Sequence, residues 1–99
     1  MSAPSGLQKE VLALYRRALR MVRTKPPHTQ DKFSLLVRYM FHVQASAVSP
    51  RNVSAIEHLL RRGRRQIELY ENPSIRDCHI SQDMRDWEQS RRKYHSQTS

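Results

Sequence analysis

This chain has little of what small disulfide-bonded, metal-binding or redox folds are made from. One cysteine, Cys78, excludes an intramolecular disulfide. Glycine occurs twice in 99 residues. The five prolines, at 4, 26, 27, 50 and 73, fall almost entirely where helices could begin or end. So few interruptions, so placed, are what an all-helical chain looks like. Acidic residues are scarce: nine Asp and Glu stand against eighteen Lys and Arg, a formal net charge of +9. That surplus implies acidic partners, whether nucleic acid, an anionic membrane or an acidic protein. No apolar run is long enough to span a membrane. Met1–Gly6 has no charged start leading into an apolar run, which argues against a secretory signal.

Enzyme chemistry is missing as well. There is no glycine-rich phosphate loop and no G-x-S-x-G turn. The five histidines, at 28, 42, 58, 79 and 95, lack ligand spacing, and the adjacent Cys78-His79 pair is poorly arranged to hold one metal jointly. An iron–sulfur cluster needs about four ligands, mainly thiolates, which one cysteine cannot supply. The sequence therefore reads as a binding protein, not an enzyme, with no metal or cofactor bound directly.

What is present is helical periodicity. Leu7, Val11, Leu14/Tyr15, Ala18 and Val22 recur every three or four residues and predict a helix over 6–23. Ser5 with Gln8 three residues on fits a capping box at its start. Lys9, Arg16, Arg17, Arg20 and Arg23 occupy much of the rest of this helix. Arg16, Arg20 and Arg23 line one face, where like charges repel by a few tenths of a kcal/mol per pair. Residues 7–25 carry six Lys/Arg and one acid, the basic amphipathic pattern of mitochondrial import signals. An uncleaved N-terminus is expected, because the same helix carries the Leu14-Tyr15-Arg16 triplet.

Lys25-Pro26-Pro27 ends this helix. Thr29 is placed to cap a second, with a stripe of Phe33, Leu36, Val37, Met40 and Phe41 running to about residue 45. Ser49-Pro50 predicts the start of a third helix, N-cap serine then proline. Its stripe of Val53, Ile56, Leu60, Gly63, Ile67 and Tyr70 is the most regular in the chain and ends at Asn72-Pro73. Gly63 within a stripe costs roughly 1 kcal/mol relative to Ala, and permits close approach of a helix or a ligand chain. Arg61, Arg62, Arg64 and Arg65 surround it, with Arg61, Arg64 and Arg65 expected to cluster and Arg62 apart. By composition this run resembles a nucleic-acid patch, but no aromatic interleaves it and no stacking platform is apparent. Beyond Pro73 the chain is polar. Ser81 predicts a short fourth helix over 82–94, with Met84, Trp87 and Tyr94 on one side and 95–99 disordered.

These residues resemble the LYR-motif family. The resemblance rests on Leu14-Tyr15-Arg16, Phe41 on the second helix and a basic third helix. It narrows, in a fungal form, to the branch that assembles succinate dehydrogenase. That narrower match lies in Gly6-Leu7-Gln8-Lys9-Glu10-Val11-Leu12, Lys25-Pro26, Pro50-Arg51 and Ile56-Glu57-His58-Leu59-Leu60-Arg61-Arg62-Gly63-Arg64-Arg65, across about residues 6–72. It implies an all-α fold, an LYR-type three-helix bundle over 6–72; by composition residues 1–5 are expected to be flexible and 73–99 to form a polar extension. It further implies a chaperone of the mitochondrial matrix that protects the iron–sulfur subunit of succinate dehydrogenase (complex II) and promotes its cluster insertion. By resemblance, Leu14, Tyr15 and Arg16 would engage the iron–sulfur cluster transfer co-chaperone or mitochondrial acyl carrier protein. Arg17, Arg20 and Arg23 would extend that basic face, and Phe41 would be the family phenylalanine. Arg61, Arg62, Gly63, Arg64 and Arg65 would bind the iron–sulfur subunit. An acyl-phosphopantetheine on the carrier would be the one cofactor involved. The alternatives are an accessory subunit of another mitochondrial complex, bound to the carrier, and a basic nucleic-acid-binding module; no nucleic-acid partner is expected.

Overall fold

The structure, a computed structural model, describes residues 6–98, with side chains to residue 92. The Ser5 cap therefore lies outside the described residues. Four helices follow one another: α1 (Gly6–Arg23), α2 (Gln30–Ala47), α3 (Val53–Glu71) and α4 (Gln82–Thr98). No strand occurs among the described residues. The all-α bundle expected from periodicity is what forms.

α1 is the central helix, packed against both α2 and α3. Of its predicted stripe Leu14, Ala18 and Val22 are buried, joined by Met21, which the pattern did not include, while Leu7, Val11 and Tyr15 are half-buried. The ion pairs Arg17–Glu71 and Glu10–Arg64 each span 54 residues, so α1 and α3 run parallel in one register. Between them, at the crossing, Leu14 meets Gly63. A Cβ built on Gly63 would lie 3.1 Å from Leu14 Cδ2. The missing side chain is what lets the two helices close.

One end of the bundle is sealed. Phe33 and Ile67 are fully buried, Phe33 meets Tyr70 edge-on at 6.1 Å, and Val37 fills the layer above. Each such side chain, removed from water, contributes about 1.5–3 kcal/mol. The same end holds an unforeseen lysine. Lys25, 4% exposed, donates to the carbonyls of Ile75 at 2.6 Å and Asn72 at 3.3 Å, and sits 5.1 Å over the Phe33 ring. Burial pushes its ammonium below the usual lysine range. It joins the α1–α2 turn to the backbone just beyond α3.

Several boundaries differ from expectation. Thr29 precedes α2 but does not cap it with its side chain; its hydroxyl donates to the Pro26 carbonyl within a 3₁₀ turn over Pro27–Thr29. α2 continues two residues past 45, through small helix-compatible residues, with Ser46 Oγ bonded back to the His42 carbonyl. α3 begins later than Ser49-Pro50 suggested. Asn52 is the N-cap, accepting from the Ala55 amide at 3.1 Å, while Ser49 to Asn52 form a turn. Asn caps as well as Ser, so the nearer cap won. α4 is longer than 82–94 and includes residues 95–98, because no glycine or proline follows Pro73 to stop it. Ser81 does cap it, accepting from the Met84 amide.

Beyond Pro73 the chain is polar yet packed. Ile80 is buried, and α4 lies along α2. Trp87 meets Tyr39 at 5.6 Å and His42 at 5.1 Å, and Arg38 pairs with Glu88. This layer accounts for Leu35, buried although it lies off the predicted stripe. Tyr94 has no described side chain.

Two substitutions test this packing. Lys25→Met leaves two carbonyls without their charged donor and should lower unfolding free energy by about 1–3 kcal/mol, read by denaturant titration. Hydrogen exchange should quicken over residues 72–80. Gly63→Leu should cost about 1–3 kcal/mol by overpacking against Leu14, whereas Ser54→Leu on the exposed face should leave the melting midpoint nearly unchanged.

Candidate functional site: a groove and two basic faces

The end of the bundle opposite Lys25 is open. There the C-terminal half of α2 and the N-terminal half of α3 stand apart, and α1 floors the space between them. The result is a groove of about 610 Å³ lined by fourteen residues, including Leu7, Val11, Leu14, Phe41, Val48, Pro50, Val53, Ile56 and Leu60. Its size is that of a small-molecule site. Among the described residues that line it none is ionisable, and Gln8 and Gln44 are the only polar side chains. Leu12 and Val53 at its rim are 47% and 51% exposed, an unpartnered apolar edge. The sequence pattern had placed Val53 in the core stripe; it lines the mouth instead.

The triplet Leu14-Tyr15-Arg16 is split by the 100° step of the helix. Leu14 is buried between Gly63 and the groove. Tyr15 is half-buried and meets Phe41 edge-on, ring centroids 5.0 Å apart. That contact brings the motif tyrosine to the predicted phenylalanine, which itself lines the groove. Arg16 points out and makes no ion pair among the described residues.

The other arginines of α1 divide. Arg20 and Arg23 are exposed and make no ion pair among the described residues. Arg17 is not part of that free face. Its guanidinium forks onto Glu71, Nε to Oε2 at 2.8 Å and Nη2 to Oε1 at 2.7 Å. This hydrogen bond is the main reason the Glu71 carboxyl lies below its ordinary value of 4.5. Glu71 was missed in the sequence because nothing local marks a partner so far along the chain.

The arginine run of α3 also divides, and not as the helical wheel suggested. Arg61, Arg62 and Arg65 line one exposed depression with His58, while Arg64 turns to Glu10 on α1 at 3.3 Å. Arg62 therefore belongs to the cluster and Arg64 does not, because a carboxylate on the neighbouring helix captures it. Gly63 is buried beneath them. The basic face of α3 and the apolar groove are thus separate surfaces. Among the described residues no group of three His, Cys, Asp or Glu could hold a metal ion, and no helix is long and apolar enough to cross a membrane.

Residues 9–69 match the family described as Complex 1 protein (LYR family). The chain belongs to the LYR family. This LYR protein is 38% identical, over 79 residues, to succinate dehydrogenase assembly factor 1, mitochondrial, of Schizosaccharomyces pombe, covering 80% of the chain and 99% of that relative. It is 37% identical over 75 residues to the protein of the same name in Saccharomyces cerevisiae, covering 76% and 94%. With the Mus musculus protein of that name it shares 47% over 70 residues, covering 70% of the chain and 53% of that relative. No solved structure matches.

The Arg17–Glu71 fork has a pH signature. A carboxyl depressed in the folded state adds stability above its unfolded value and loses it as pH falls through the folded one. The denaturant midpoint should therefore hold from neutral pH to about 5 and then decline below 4.5. In Glu71→Gln the midpoint should be lower at neutral pH and the acid decline shallower. Asp77, depressed by its bond from Lys32, keeps part of the slope in both proteins.

Proposed function

We propose that this LYR protein is a mitochondrial assembly factor for succinate dehydrogenase. In this reading it works in the matrix, binds the iron–sulfur subunit, shields it and promotes its cluster insertion. The relatives named for that assembly support the enzyme concerned. The observation that carries the partner is the cluster of Arg61, Arg62 and Arg65 with His58, exposed and without an internal ion pair among the described residues. Three adjacent guanidinium groups repel one another, and an acidic protein surface relieves that repulsion while accepting forked hydrogen bonds. Such a face adds speed and selectivity of encounter more than raw affinity. Cluster chemistry then belongs to the client and to a cluster-transfer co-chaperone, with this chain acting by binding alone.

A second reading concerns the groove, and its apolar, charge-free lining favours it. The groove takes the acyl chain of mitochondrial acyl carrier protein, with the phosphopantetheine arm lying along its lip. Lys9, Arg16, Arg20 and Arg51 are exposed cations on the elements around it and suit an acidic carrier. In this arrangement Leu14 and Tyr15 shape the groove and Arg16 contacts the carrier or co-chaperone. Binding then adds stability to a small domain through linkage.

Recovery of partners from mitochondria expressing tagged variants tests both readings. Arg62→Glu combined with Arg65→Glu should lower recovery of the iron–sulfur subunit by about tenfold or more, roughly 1.4 kcal/mol or more, and leave carrier recovery unchanged. Arg16→Ala should do the reverse, with its unfolding free energy within about 0.5 kcal/mol of the parent. Absence of the iron–sulfur subunit from the parent protein's partners would refute the first reading. Stable membership in another respiratory or ribosomal complex would replace it.

A further inference from the structure

The inner end of the groove is where the motif leucine, the buried glycine and open space meet. Leu14 is 6% exposed and forms part of the lining, and its Cδ2 would lie 3.1 Å from a Cβ on Gly63. One layer deeper, Ala18, Val37 and Ile67 are 0%, 1% and 0% exposed. The groove is therefore blind on that side, and a linear chain entering past Val48 and Val53 ends against Leu14. We infer that the Leu14–Gly63 contact is a stop that sets the length of acyl chain this protein accepts. The inference rests on the carrier reading of the groove given above.

The physical reasoning is short. Each methylene taken from water favours the bound state until the chain meets the stop. Past that point an extra methylene must buckle the chain, push Leu14 off its rotamer, or leave carbon in water at the lip. Affinity therefore peaks at one length. The position of the peak depends on where Leu14 sits, and Gly63 decides that. Without a side chain at 63, Leu14 settles against the α3 backbone and leaves the groove its full depth. An added methyl would require Leu14 to yield by a few tenths of an ångström. The core on its other sides is close-packed, so the space it yields into is the groove.

Two conservative changes on facing helices should then act in opposite directions. Leu14→Val draws the stop back, and Gly63→Ala pushes it forward. The test uses the full chain mixed with acyl carrier protein loaded with a ladder of even-numbered saturated acyl chains. Retained carrier is read by native mass spectrometry, and thermal unfolding of each variant confirms its fold. Leu69→Ala, exposed on α3 away from the groove, serves as the control. Leu14→Val should move the best-retained chain at least one step longer, Gly63→Ala at least one step shorter, and Leu69→Ala should leave it in place. Either shift alone carries the test if one variant fails to fold. An unchanged optimum in the folded variants would overturn the stop while the carrier reading stands. Failure of the parent protein to retain carrier at any chain length would overturn both.

Discussion

The approach of α1 to α3 at Leu14 and Gly63 sets everything around it. With no side chain at 63, Leu14 lies in van der Waals contact with the opposing helix, and the two helices can run parallel at close range. Glu10–Arg64 and Arg17–Glu71 then fall on either side of the crossing at one register. Toward Lys25 the helices converge on a sealed core around Phe33 and Ile67. Away from it α2 and α3 part, and the groove appears. A bulkier residue at 63 would disturb the core, the ion pairs and the groove together.

The surplus of positive charge is likewise divided rather than spread. Arg17, Lys25, Lys32, Arg38 and Arg64 each have an internal partner, so their charge serves the fold. Most of these pairs are at least a third exposed and individually weak, which suits them to fixing register more than to supplying stability. Among the arginines left over, two groups stand together, Arg16, Arg20 and Arg23 on α1 and Arg61, Arg62 and Arg65 on α3. The two patches lie on different helices and form separate surfaces.

Periodicity made much of this legible. α1 was readable to the residue, because its single apolar stripe has one core to face. The α3 stripe likewise marked Leu60, Gly63 and Ile67 as buried. α2 was read less well. It is covered on a second side by Ile80 and α4, so Leu35 breaks the one-sided pattern that a sequence scan detects. The start of α3 was missed because two good caps, Ser49 and Asn52, lie three residues apart, and spacing does not choose between them. The groove was not visible at all. Its lining reads as core in sequence, and only the divergence of α2 and α3 shows that Val53 and Ile56 face open space. The division of the arginines depended on Glu10 and Glu71, whose pairing is a property of the packed helices.

Lys25 also bears on the order in which the chain becomes native. Its acceptors, the carbonyls of Asn72 and Ile75, lie 47 and 50 residues further along. The entropy of closing so long a loop must be met before the contact forms. α1 and α2 can pair as a local hairpin while the lysine remains hydrated, and only the arrival of α3 gives it a place to be buried. The first two helices thus form an incomplete unit whose last polar requirement is met from beyond the end of the third. Until then, the apolar faces of α1 and Phe33 stay open to whatever helps the chain along.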